Sequence, residues 1–136
     1  MAAGYSQRSL VDKLGIKPGM RIAILHPPRG YRATLGKLPR GVTVTSVARG
    51  ILPLIHFFTA DRALLERQLS ALLRALAPDG ALWVSWPKKA SGVPTDMTED
   101  AVRAVVLPTG LVDVKVAAVD AVWSGLKLVR RLKNRT

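Results

Sequence analysis

A mostly parallel α/β sheet, covered by helices and finished by an antiparallel strand, is the architecture this sequence predicts. Three observations carry it. Short apolar runs rich in β-branched and aromatic residues, at 21–25, 42–45, 54–58 and 81–86, have the composition of buried strands. A leucine stripe over residues 61–76 supplies a helix between the third and fourth of them, the kind of crossover that parallel strands require. The last two strand-like stretches, 111–119 and 123–129, are separated only by Asp120-Ala121-Val122, a hairpin spacing that makes one of them antiparallel.

Each element follows in turn. Leu10, Val11 and Leu14 recur at helical spacing within 6–14, and Gly15 stands where a helix would stop. Pro18-Gly19 turns the chain into the first strand, 21–25. The loop after that strand, His26-Pro27-Pro28-Arg29-Gly30, is stiffened by two prolines, and residues 31–35 make at most a short helix closed by Gly36. Strand 42–45 follows, and residues 46–52 leave too little room for a crossover helix before strand 54–58. In 61–76, Leu64, Leu65, Leu69, Leu72, Leu73 and Leu76 form a core-facing stripe with Arg62, Arg67 and Arg74 elsewhere on the helix. Residues 77–80 are read as the turn into strand 81–86, which Pro87 terminates. Asp96 and Glu99 have capping-box spacing before a helix over 99–106, where Val102, Val105 and Val106 share one side and Pro108 lies beyond the end.

Composition bounds the chemistry. The chain has 136 residues, 49% of them hydrophobic, which suits one domain over 1–136 with a real core. No apolar stretch is long enough for a bilayer span, and the first residues lack the apolar centre of a signal peptide, so the expectation is a cytoplasmic protein with no membrane partner. With no cysteine, disulfides and thiolate chemistry are excluded, and two histidines are few for a metal centre. Against 9 Asp plus Glu stand 21 Lys plus Arg, a formal net charge of +12. Such a field attracts polyanions, but cations spread along a chain do not by themselves define a site.

The candidate site is the carboxyl edge of the sheet, where ligands of open α/β sheets bind. If the first strand and the strand ending at Ser85-Trp86 are neighbours, then His26, Arg29, Tyr31, Ser85, Trp86, Lys88, Lys89 and Asp96 reach one cleft. The cations there and the nearby helix start suit a carboxylate or phosphate. A Ser-His-Asp reading fails because Ser85 is not in a Gly-x-Ser-x-Gly elbow and nothing places Asp96 beside a histidine. His56, inside Leu-Ile-His-Phe-Phe, is expected to be a packed residue with one nitrogen satisfied.

In this order of elements, residues 76–84, the helix that follows the next loop, Gly110-Leu111-Val112 and the final strand pair resemble the second half of a class I S-adenosylmethionine-dependent methyltransferase. The resemblance implies a reduced, Rossmann-like three-layer sandwich. A closer resemblance, over almost the whole chain, is to the domain of unknown function 3052 family. It rests on a Gly-Tyr-Ser opening (4–6), Leu-Gly-Ile-Lys-Pro-Gly (14–19), Trp-Val-Ser-Trp-Pro-Lys (83–88), Pro-Thr-Gly-Leu-Val-Asp (108–113) and Trp-Ser-Gly-Leu-Lys (123–127). It implies a fold and no mechanism.

The methyltransferase likeness also implies two cofactor contacts that this sequence departs from. Where such an enzyme has a glycine-rich loop after its first strand, the chain reads His26-Pro27-Pro28-Arg29-Gly30. Where it has an acid for the ribose hydroxyls at the end of its second strand, the chain reads Thr45-Ser46. No cofactor is therefore expected, and no dinucleotide or Walker loop exists either. The function expected is a non-catalytic or regulatory module. An enzyme acting on a small anionic substrate comes second, and a nucleic-acid-binding protein, marked by a basic surface joining Lys88-Lys89 to Arg130-Arg131, comes third. The sequence assigns no oligomeric state.

Overall fold

The computed structural model describes residues 8–134. Six strands form one sheet: β1 (Arg21–Leu25), β2 (Thr43–Thr45), β3 (Leu52–Phe58), β4 (Leu76–Pro87), β5 (Leu111–Ala118) and β6 (Trp123–Arg130). Their spatial order is β2-β1-β3-β4-β6-β5, with β2, β1, β3 and β4 mutually parallel and β6 antiparallel to both of its neighbours. This is the mostly parallel, Rossmann-like α/β sheet expected, with the terminal hairpin inserted so that its second strand contacts β4.

Among the described residues four α-helices cover the sheet: α1 (Leu10–Leu14), α2 (Tyr31–Leu35), α3 (Arg62–Ala75) and α4 (Glu99–Val106). Strand alternation divides the apolar residues between two faces. On one, Ala23, Leu25, Ile55, Phe57, Leu82, Val84, Trp86, Leu126 and Leu128 meet α3 and α4. On the other, Ile22, Ile24, Leu54, Phe58 and Trp83 meet α1 and α2. Central strands buried on both sides explain why their sequences are continuous apolar runs without clean alternation.

Several boundaries differ from the sequence reading, each for a local reason. Helix α1 is only five residues long, starting after Ser9, whose side chain accepts from the Asp12 amide; Ser6 and the Gly-Tyr-Ser opening lie outside the described residues. Residues 77–80 are not a turn but a bulge within β4, because Leu52 pairs with Leu76 while Leu54 pairs with Ala81. The leucine stripe of α3 is narrower than its periodicity suggests: Leu65 and Leu72 are fully buried, whereas Leu64, Leu69 and Leu73 are half-buried at its margins. Crossing from β2 to β3 takes only a coil over residues 46–51, which seats Ala48 against the α3-side core.

Two corrections bear on the site. Strand β3 lies between β1 and β4, so the first strand and the Ser85-Trp86 strand are not neighbours. Asp96 does not cap α4; Thr98 does, its hydroxyl accepting from the Ala101 amide at 2.9 Å. Asp96, three positions before Glu99, looked like the cap, but the chain enters the helix two residues later, with Glu99 as its first residue.

Candidate functional site

The carboxyl edge of the parallel strands holds the residues singled out from the sequence, and the strand order distributes them into three groups. The first surrounds β1. His26 ends that strand with φ 57°, a left-handed conformation uncommon for a residue with a Cβ. Its ring lies edge-on to Phe57, and its Nε2 is 3.1 Å from Gln68 Oε1 on α3. Two clefts of about 280 Å³ open on either side, sharing Ser46 at the end of β2. One is lined by His26, Val47 and Gln68 on the α3 side, the other by Pro27, Arg32 and Thr45 on the α2 side. Arg29 is exposed on the connecting loop.

The second group is inside the protein. Parallel pairing sets His56 opposite Trp83 and Phe58 opposite Ser85, so His56 and Ser85 are diagonal neighbours on the α2 face of the sheet. His56 Nε2 lies 2.7 Å from Ser85 Oγ, and its Nδ1 lies 2.8 Å from the hydroxyl of Tyr31, the first residue of α2. A neutral imidazole has one donor and one acceptor, so both contacts are satisfied in either tautomer. Exposure is 2% for Tyr31, 1% for His56 and 0% for Ser85, which leaves no approach for a substrate. Burial pulls the His56 pKa down to about 3 and pushes the Tyr31 hydroxyl well above its usual range, so both are neutral near pH 7. No carboxylate orients the ring, and the chain is a polar rivet within an apolar core rather than a nucleophile with its base.

Around this chain the packing leaves little freedom. The Trp83 indole donates to the Leu14 carbonyl at 3.0 Å, satisfying an orphan acceptor at the end of α1. Gly125, opposite Ser85 on β6, has no room for a side chain: a Cβ would sit 3.0 Å from Ser85 Oγ and 3.2 Å from Trp83 Cε3. His56 thus has both nitrogens engaged, one more than its isolation in an apolar run suggested. The signal available in the sequence was the pair of lone polar residues, His56 and Ser85, each set within an otherwise apolar strand.

The third group follows β4. Lys88 does not face a cleft: its Nζ donates to the Asp120 carbonyl at 2.9 Å and its amide to the Val122 carbonyl at 2.7 Å, tying β4 to the β5–β6 turn. Trp86 is buried against the α3-side core. Lys89 is exposed, beside a separate cleft of about 370 Å³ formed with Val93, Pro94 and Met97. Asp96 reaches back to α3, where its Oδ1 accepts from the Arg62 amide at 2.8 Å, next to Asp61, which accepts from Ala63. The start of α3 therefore already has a carboxylate where an external anion would bind. Replacing Asp96 with alanine should destabilise the fold by ~0.5–2 kcal/mol, the range for a lost helix cap. Urea unfolding of both forms measures it, and no change would show that solvent serves the Arg62 amide equally well.

Among the described residues no group of three or more acids, histidines or cysteines could hold a metal, and no helix is long and apolar enough to cross a membrane. With strand order and edge geometry set, solved structures provide the comparison. A SAM dependent methyltransferase from Aquifex aeolicus superposes with a TM-score of 0.62 at 14% identity, covering 88% of this chain and 86% of that one. The fold is methyltransferase-like. The N-methyltransferase NodS from Bradyrhizobium japonicum WM9 gives 0.58 at 13% identity over 88% and 90% of the two chains. Magnesium protoporphyrin IX methyltransferase from Synechocystis PCC 6803, with bound SAM, gives 0.56 at 11% over 90% and 74%. At such identities the likeness is one of fold. No protein-family model matches the sequence, and no curated protein matches it.

Proposed function

We propose that this chain is a non-catalytic or regulatory module, one Rossmann-like domain over residues 1–136 that keeps the methyltransferase-like sheet without its cofactor site. The observation that carries the reading is the edge formed by β1 and β2. There His26 takes a left-handed conformation, Pro27 and Pro28 follow, and Ser46 stands at the end of β2. Two prolines restrict the loop, and a serine offers one hydroxyl where two ribose hydroxyls would favour a carboxylate. The histidine-serine contact that resembles catalytic machinery is enclosed in the core.

Membership of the domain of unknown function 3052 family belongs to the same reading. The residues of its shared stretches hold one another in place here: Leu14 with Trp83, Ser85 beside Gly125, and Lys88 with the Asp120 turn just before Trp123. A pattern of that kind preserves a scaffold, and a cytoplasmic location suits a chain of this composition.

The test is titration calorimetry with S-adenosylmethionine. Binding is expected to be absent below millimolar concentration, and a dissociation constant in the low micromolar range would overturn the reading. A second reading, a small anionic ligand at the β1 edge, is favoured by the strained His26 with Arg29 and Arg32 close in sequence. A thermal-shift screen of phosphates and carboxylates separates the two: under this second reading a hit is lost in Arg32→Ala, whereas the first expects no saturable hit.

A further inference from the structure

Apart from Asp12 on α1, several acidic side chains of the described residues are committed to local partners. Glu99, Asp100 and Asp113 surround Arg103 on α4, Asp61 and Asp96 serve the start of α3, and Asp120 closes the β5–β6 turn by accepting from the Val122 and Trp123 amides. On the α1 side of the hairpin the pattern reverses. Lys115 of β5 is paired directly with Lys127 of β6. Like charges opposed across two strands destabilise a sheet, and folding alone gives no return for the pair. Lys13, in the last turn of α1, adds to the same field, and Arg8 beside that helix holds its guanidinium on the Asp12 carbonyl at 2.9 Å. Partial desolvation, and after it the neighbouring cations Arg8, Lys127 and Lys13, hold the Lys115 pKa below the usual lysine range.

The stripe that carries these lysines is shallow. At one end Gly125, buried beside Trp83, faces Ala117, and at the other Val112 faces Val129, both half-buried. The end of α1 lies over β4, where Leu14 meets Trp83. We propose that this basic face, centred on the opposed Lys115 and Lys127 with Lys13 nearby, is a docking surface for the phosphate backbone of a nucleic acid, bound without regard to base sequence. The inference stands whether or not a small molecule binds at the β1 edge, since the two surfaces share no residue.

The occupant follows from charge and composition. Protein interfaces bury about 800 Å² per partner around aromatic or aliphatic anchors, and their centres are depleted in lysine. Here the centre is a lysine pair, and the aromatic residue beside it, Trp83 opposite Lys127, is fully buried and offers no anchor to a partner. A phosphate ladder needs closely spaced cations and little apolar area, and its binding releases condensed counterions. The cations named from the sequence are engaged elsewhere. Lys88 holds the hairpin turn, and the Arg130 guanidinium donates to the Leu73 and Leu76 carbonyls at the end of α3.

The test is fluorescence anisotropy of labelled single-stranded and duplex DNA and RNA against four proteins at several salt concentrations. These are the parent, Lys115→Gln/Lys127→Gln, Lys115→Arg/Lys127→Arg, and a control of equal net charge change, Lys37→Gln/Arg49→Gln, at exposed positions away from the hairpin. The parent is expected to bind with steep salt dependence. The glutamine pair should weaken binding at low salt by about tenfold or more and reduce the magnitude of the log–log salt slope by about 1.4 on single strands and 1.8 on duplex DNA. The arginine pair should bind as the parent does. Because removing opposed charges relieves repulsion, the glutamine pair should melt no lower than the parent, which separates lost binding from lost folding. Equal weakening by the control would reduce the effect to overall charge and overturn the proposal. So would no binding by the parent at low salt, or capture of phosphatidylserine vesicles through these lysines with no affinity for nucleic acid.

Discussion

Replacing Trp83 with alanine should destabilise the protein by ~3–5 kcal/mol, the range for removing a fully buried large aromatic. Its side chain is 0% exposed and belongs to the α1-side core, so truncation leaves a cavity lined by side chains that strand pairing holds in place. Two effects are combined in that figure, and a second variant separates them. Trp83→Phe keeps most of the apolar volume but removes the indole donor to the Leu14 carbonyl, which then loses its partner. That change should cost ~1–3 kcal/mol and loosen α1 selectively, because the bond is what anchors the end of this five-residue helix to β4. Denaturant unfolding gives the totals, and hydrogen exchange at the Lys13 and Gly15 amides reports on α1. An alanine cost under about 1 kcal/mol would show that the site collapses or that the helix does not depend on it.

The second large effect is a loss of stability on mild acidification. His56 has an ordinary pKa near 6.5 when unfolded and about 3 in the fold, with burial as the cause. Between those values the unfolded chain binds a proton that the folded chain refuses. Stability is therefore fully present above pH 6.5 and falls as pH drops toward 3, by at most ~1.4 kcal/mol per pH unit from this residue. Carboxylates dominate below about pH 5, so the informative window is pH 7 to 5. The parent should lose on the order of 2 kcal/mol there, and His56→Gln, which cannot titrate, should lose much less. Parallel pH profiles for the two proteins would mean that His56 ionises readily in the folded state. Ser85→Ala offers a further check, since it strands one imidazole nitrogen in the core and should lower stability at every pH.

Both predictions concern residues whose role is to hold the sheet together, and that bears on function. The histidine, serine and tyrosine of the chain are where a catalytic reading would begin, yet their hydrogen bonds close on one another inside the core. Open to solvent among the described residues are the two small clefts of the β1 edge and the cleft beside Lys89, with the lysines of the terminal hairpin half-buried. A module that acts through surfaces fits this division better than one that acts through an enclosed reaction centre.

The sequence by itself determined the elements and their class. Hydrophobic runs of four to six residues, a leucine stripe with an Asp at its start and a three-residue hairpin connection encode local geometry, and local geometry is read from neighbours in the chain. The absence of a glycine-rich loop after β1 was equally legible, because it is a property of residues 26–30 alone. Only the tertiary structure decided which strands touch. Placing β3 between β1 and β4 set His56 against Ser85 and removed His26 from Lys88, since a strand's partners depend on crossover paths that no periodicity records. Asp96 shows the same limit: its spacing to Glu99 suggested a local cap, but the amide it serves is 34 positions away on α3. The opposed lysines of β5 and β6 were hidden for a further reason, because a bulge between Asp113 and Lys115 shifts the register by one residue and brings Lys115 opposite Lys127.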